Sequence, residues 1–156
     1  MTEAKKSCKT ILLAEDNEND LELTLSTLSS FNLANEIKVV RDGAEVLDYL
    51  YRRGQYSNLD EDCNPVVILM DLKMPKVDGL QVLQEIKQDS MLRCIPVVML
   101  TSSREESDLL ESYRYGVNAY VVKPVDFEQF IEAIKQLGIF WTLINEIPAL
   151  NRNALQ

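Results

Sequence analysis

Glu15 and Asp16 follow the apolar run Thr10 to Ala14, Asp71 follows Val66 to Met70, Thr101 follows Ile95 to Leu100, and Lys123 follows Ala119 to Val122. Each polar group closes a segment short and apolar enough to be a buried strand. Three carboxylates brought together repel one another and raise one another's pKa unless a cation lies between them, so the set asks for a hard divalent ion with oxygen ligands. Magnesium suits it, because Mg2+ keeps several waters and binds through one or two carboxylates plus phosphate oxygens. Such a site favours phosphoryl chemistry over a closed structural cage, with Lys123 as a further positive charge. The chain contains no histidine. A histidine base, a Ser-His-Asp triad and a His-ligated metal are therefore excluded.

Bringing these groups together requires parallel strands ending on one edge. The stretch Pro65 to Pro75 reads as the central strand, apolar on both faces and delivering Asp71 at its carboxyl end. Before it, Asn17 can cap a helix from about Glu18, on which Leu21, Leu25, Leu28 and Phe31 form the inward stripe, with Leu23 off the stripe covering a flank. Asn32 to Asn35 reads as a turn and Ile37 to Val40 as a second strand. Asp42-Gly43 opens a helix with Val46, Leu47 and Leu50 inward, which the pattern ends at Gly54; Gln55 to Asn64 is a polar connector. After Asp71, a loop through Pro75 and Asp78-Gly79 leads to a helix with Leu80, Leu83 and Ile86 inward. Pro96 is tolerable at the start of a fourth strand, Ile95 to Leu100. Arg104 to Tyr115 reads as a helix closed by Gly116, Ala119 to Val122 as a fifth strand, and a last helix runs from about Phe127 with Phe130, Ile131, Ile134 and Leu137 inward. Five strands alternating with five helices imply an α/β fold on a parallel sheet with right-handed crossovers. Ligands of such sheets collect at the carboxyl ends of the strands.

At 156 residues the chain has the size of one domain. A formal net charge of −9 argues against binding nucleic acid, and no basic stripe offsets it. Cys8, Cys63 and Cys94 show neither zinc spacing nor an even count, which fits a reduced compartment. With no apolar segment behind the polar N-terminus and no run of membrane-spanning length, a cytoplasmic protein without membrane contact is expected.

These motifs, taken in order, resemble the receiver domains of two-component response regulators. The matching residues are Glu15-Asp16, Ile68-Leu69-Met70-Asp71 with Met74-Pro75 and Asp78-Gly79 behind it, Thr101-Ser102, and Tyr120-Val121-Val122-Lys123-Pro124. The intervals after Asp71 agree with that family, while the stretch before it is longer than usual. The resemblance implies a flavodoxin-like (βα)5 three-layer sandwich with strand order 2-1-3-4-5. It further implies that Asp71 takes a phosphoryl group from the phosphohistidine of a sensor histidine kinase as an acyl phosphate. Glu15, Asp16, Asp71 and the backbone carbonyl of Lys73 would hold Mg2+, with Lys123 and the Thr101 hydroxyl stabilising the transferring group. Thr101 and Tyr120 would be the switch pair, and Lys73 and Ser103 the variable positions that tune phosphoryl lifetime. The chain would then be a phosphoaccepting signalling module rather than an enzyme with its own turnover.

The resemblance places a polar N-terminal segment at residues 1–8, the receiver at 9–137 and an extension at 138–156. Gly138 to Pro148 carries more apolar surface than two-layer packing needs, including the only tryptophan, so Phe140, Trp141 and Ile144 are expected at a self-association surface. With this extension and the longer loop before Asp71, the chain resembles the single-domain response regulators that partner phytochrome-type sensor kinases, several of them dimers. Three other functions compete. An Mg2+-dependent phosphohydrolase with an aspartyl nucleophile would resemble Asp-x-Asp, where this chain has Lys73. A binding scaffold with an idle site would not need the complete acidic, threonine and lysine set. A flavodoxin is disfavoured because Glu15-Asp16-Asn17-Glu18 would repel a phosphate.

Overall fold

The computed structural model describes residues 10–29, 36–59, 64–102, 111–124 and 126–136, and for Thr101, Phe127, Ile134 and Gln136 the backbone alone. Five parallel strands form one sheet: β1 Thr10–Ala14, β2 Glu36–Val40, β3 Val67–Asp71, β4 Val97–Thr101 and β5 Ala119–Val122. Their order is β2-β1-β3-β4-β5, as the resemblance implied. The helices are α1 Glu18–Ser29, α2 Gly43–Tyr51, α3 Gly79–Gln88, the described helical residues 111–114 (α4) and α5 Phe127–Gln136.

Strand β3 is buried along its whole length, and successive side chains enter two separate cores. Ile68 and Met70 join Leu12, Val40 and Met99 against the helix residues Val46, Leu47, Val82, Leu83 and Ile86. Val67 and Leu69 join Ile11, Leu13 and Val98 against Leu21 and Leu28 of α1 and Phe130 and Ala133 of α5. The unbroken apolar run of β3 is thus what a strand covered on both faces requires.

Helix starts follow their caps. Asn17 Oδ1 accepts the Asp20 N–H at 2.9 Å, and Asp42 Oδ1 accepts the Glu45 N–H at 2.7 Å. Asp78 and Gln81 form a reciprocal capping box at α3. Asp42 also meets Lys76 Nζ at 3.4 Å through its other oxygen, tying the start of α2 to the loop after β3. Asp42→Ala should therefore cost about 1 kcal/mol, a fall of about 2–4 °C in melting temperature. A thermal scan showing no change would contradict that role of the cap.

Several boundaries differ from the sequence reading. Helix α2 ends at Tyr51, before Gly54, because Arg52 takes up the left-handed conformation (φ 58°) and donates its N–H back to Tyr49. Gly54, also left-handed at φ 55°, instead opens a short 3-10 turn, Gly54–Tyr56. This turn lies within the expected polar connector and buries Tyr56, whose hydroxyl donates to Glu45 Oε2 at 2.9 Å. On α3 it is Val82, with Leu83 and Ile86, that is fully buried, while Leu80 is only partly covered. Leu23 is 59% exposed and covers no flank. Strand β4 begins at Val97, past Pro96, whose carbonyl accepts the Ile68 N–H at 2.9 Å. Gly116 has φ 93°, as a helix-closing glycine should.

Candidate functional site

Strand register brings the reactive groups to one edge. Ala14 pairs with Met70, so Glu15 lies level with Asp71; Asp71 pairs with Leu100, one residue before Thr101; Thr101 pairs with Val122, one residue before Lys123. The register therefore sets Glu15, Asp71, Lys123 and the backbone of Thr101 at the carboxyl ends of neighbouring strands.

Glu15, Asp16 and Asp71 each offer one carboxylate oxygen, and these lie within 4.8 Å of one another. Glu15 and Asp71 are buried, at 2% and 7% exposure, whereas Asp16 faces solvent. Lys123 Nζ donates to Glu15 Oε1 at 2.6 Å and stands 3.5 Å from Asp71 Oδ2. The Asn17 N–H donates to Glu15 Oε2 at 3.2 Å, and the Lys73 N–H lies 3.4 Å from Asp71 Oδ1. The Lys123–Pro124 peptide bond is cis.

The electrostatics match this crowding. Burial first, then the hydrogen bond and like charge of Asp71, push the Glu15 carboxyl up to about 7 against the opposing pull of Lys123. Burial draws the Lys123 ammonium down, but hydrogen bonds to Asp20 and Glu15 and the charge of Asp71 outweigh it and leave its pKa raised. One ammonium thus neutralises only part of a buried acidic cluster. The donor set is all oxygen, anionic and open to solvent at Asp16, which fits a hard divalent cation. Beside it a cavity of about 470 Å3 opens between Asp16, Lys73, Pro75 and Asp78.

The loop between Asp71 and α3 is closed by the Gly79 N–H donating to Leu72 O at 2.8 Å. A β-carbon on Gly79 would stand 2.5 Å from the Asp71 carbonyl oxygen, so only glycine admits this approach. Lys73 is exposed on that loop. Tyr120 is half-buried on β5, packs against the Met70 core and lines a groove of about 750 Å3 with Tyr113 and Lys123. The backbone of Thr101 ends β4 at the site, its side chain lying outside the description. Ser103, Phe140, Trp141 and Ile144 lie outside the described residues.

One participant was missed. Asp20, in the first turn of α1, accepts from Lys123 Nζ at 2.8 Å. In sequence it reads as an acid favoured at a helix N-terminus, and nothing in the spacing links it to Lys123.

Known proteins resemble this chain along most of its length. Residues 11–135 match the response regulator receiver domain. The chain is 36% identical over 149 residues to "Response regulator Rcp1" of Synechocystis sp., covering 96% of this chain and 99% of that protein. A solved structure described as the Mn(2+)-bound form of Rcp1 superposes with a TM-score of 0.71 at 37% identity, over 90% of this chain and 99% of that one. The bacteriophytochrome response regulator RtBRR is 58% identical with a TM-score of 0.80, over 94% of this chain and 88% of that one. The phosphorylated cyanobacterial phytochrome response regulator RcpA is 39% identical with a TM-score of 0.71, over 90% and 99%. Matched along most of its length by family and relatives alike, with the acids, the lysine and the sheet order all in place, the chain belongs to the response regulator receiver domains.

Proposed function

We propose that this receiver accepts a phosphoryl group on Asp71 from the phosphohistidine of a sensor histidine kinase, with Mg2+ held by Glu15, Asp16, Asp71 and the backbone carbonyl of Lys73. The observation that carries the reading is the convergence of three carboxylates within 4.8 Å, with the Lys123 ammonium 3.5 Å from Asp71. When bound, the metal neutralises charge on phosphoryl oxygens and carboxylates alike. Asp71 supplies the electron pair that forms the new O–P bond, while the P–N bond of the donor breaks and its electrons return to the imidazole. The carboxylate gives up no proton, so no general base is needed and the absence of histidine is no obstacle. The transition state is loose, with charge on the equatorial oxygens, and the Lys123 ammonium and the Thr101 hydroxyl are the groups assigned to stabilise that charge.

Tyr120, on the neighbouring strand and paired with Met99 two residues before Thr101, is the natural reporter of the added charge, and Lys73 and Ser103 are the positions that tune its lifetime. Similarity to the phytochrome response regulators favours a phytochrome-type kinase as donor, and the exchange takes place in the cytoplasm. Residues 9–137 form the receiver in this reading, and Phe140, Trp141 and Ile144 in the extension give a homodimer surface. The net charge of −9 disfavours nucleic acid as a target.

The test uses the full chain with Mg2+ and a small acyl phosphate, followed by intact mass. Wild type should gain one phosphoryl group and Asp71→Asn none. No gain in wild type, or equal gain in both, would refute the assignment.

A further inference from the structure

We propose that Asp20 is a positioning residue that holds Lys123 away from Asp71 and so restrains phosphoryl uptake. The inference rests on the phosphoacceptor reading above and adds to it a residue outside the acidic triad. Lys123 Nζ has three N–H donors. Two are committed to Glu15 at 2.6 Å and Asp20 at 2.8 Å, whereas Asp71 stands at 3.5 Å, beyond a good hydrogen bond. The ammonium is therefore drawn toward the side of the cluster that α1 supplies. Asp20 differs from the other carboxylates near Lys123: it is not one of the three acids that converge as a metal site. A cation shared by Glu15, Asp16 and Asp71 competes with Lys123 for Glu15 and Asp71 but leaves Asp20 untouched. Asp20 remains its partner while the metal triad is engaged.

Asp20 is also placed to release it. Its side chain is 35% exposed, while that of Lys123 is 8% exposed, so water can take over Asp20 when the lysine leaves. Asp20 and Lys123 line a cavity of about 300 Å3 together with Leu23, Thr24, Ser102 and Pro124, which leaves the ammonium room to move. As the new O–P bond forms on Asp71, the donor's bond to phosphorus breaks and the electron pair leaves with the donor, as acetate from the P–O bond of acetyl phosphate or as ammonia from the P–N bond of phosphoramidate, whose nitrogen is already protonated; Lys123 must then turn from Asp20 to the phosphoryl oxygens. The lost Asp20 contact is a cost of reaching that state, because only interactions stronger there than in the resting site accelerate the step.

The experiment measures phosphoryl uptake by the full chain in Mg2+, using acetyl phosphate and, separately, the less negatively charged phosphoramidate. Asp20→Asn should react about two- to fivefold faster than wild type with both donors at low ionic strength, the size expected of one partly exposed ion pair. The gap should close at high salt, and Asp20→Glu, which keeps the carboxylate, should stay near the wild-type rate. Melting temperatures of the variants establish that each is folded. An Asp20→Asn rate equal to or below wild type at low salt overturns the proposal. So does a gain confined to acetyl phosphate, which would mark simple repulsion of the donor. If wild type gains no phosphoryl group, or Asp71→Asn gains one, the phosphoacceptor reading itself fails and this inference falls with it.

Discussion

Lys123→Met should lose about 3–5 kcal/mol of stability in metal-free protein at alkaline pH, and far less near pH ~5. The side chains of Lys123, Glu15 and Asp71 are 8%, 3% and 10% exposed, so removing the ammonium leaves two carboxylates buried without a counter-ion. Glu15 determines how the loss depends on pH. Its pKa is raised in the folded protein from 4.5 to about 7, chiefly by burial and then by Asp71. A raised carboxyl contributes stability that is fully present below its unfolded pKa and disappears as pH rises through the folded one. Wild-type metal-free protein should therefore weaken between pH 4.5 and about 7 on account of Glu15. Without Lys123 the Glu15 carboxyl moves higher still, so the variant keeps it protonated at neutral pH and loses most once it must ionise. Urea unfolding with a chelator at pH ~5 and ~8 reads this directly. Glu15→Gln in the Lys123→Met background should flatten the slope. A Lys123→Met deficit independent of pH would refute the account. Added Mg2+ should stabilise wild type more above pH ~7 than below it, because a carboxylate must shed its proton to bind a cation.

What the sequence discloses about this site, and what it hides, follows from the range of each interaction. Asp71, Glu15 and Lys123 could be read because each closes an apolar strand, and a parallel sheet turns strand ends into neighbours. The strand order rested on the family resemblance; alternation of strands and helices alone implies only a parallel sheet. Asp20 could not be read, since its partner is 103 positions away and its own surroundings resemble any acidic first turn. The end of α2 was missed for a similar reason. Glycine is the usual left-handed closer, but Arg52 takes that conformation here, and its guanidinium Nη1 donates to the Tyr49 carbonyl at 2.7 Å. Tyr56 looked like part of a solvated connector because only the fold reveals Glu45 as its acceptor and Tyr49 as its edge-on neighbour at 5.1 Å. Polar composition predicted exposure, and one aromatic residue was enough to reverse it locally.

Gly43→Ala should destabilise the protein by roughly 2 kcal/mol or more and weaken divalent-cation binding, although alanine is ordinarily the better helix residue. The intrinsic gain from replacing a helical glycine is about 0.5–1 kcal/mol. Against it stands a β-carbon 1.8 Å from the Val77 carbonyl oxygen and 2.7 Å from its carbon, both backbone atoms. Overpacking of this kind costs about 1–3 kcal/mol when neighbours can shift, and here they are held. Val77 follows Lys76, whose φ of 67° is left-handed, and precedes Asp78, which is locked into the α3 capping box. The same loop begins with Leu72 and Lys73 immediately after Asp71. Displacing Val77 therefore moves the Lys73 backbone relative to Asp71, whose Oδ1 lies 3.4 Å from the Lys73 N–H. Gly54→Ala is the matched comparison: no atom lies within 4 Å of its added β-carbon, and only the φ of 55° opposes it. It should cost about 1–2 kcal/mol and leave cation affinity unchanged. Urea unfolding paired with Mg2+ titration separates the two variants. Equal cation affinity in Gly43→Ala and wild type would mean that the α2 start does not govern the loop after Asp71, and that the loop's position is set from the Gly79 side alone.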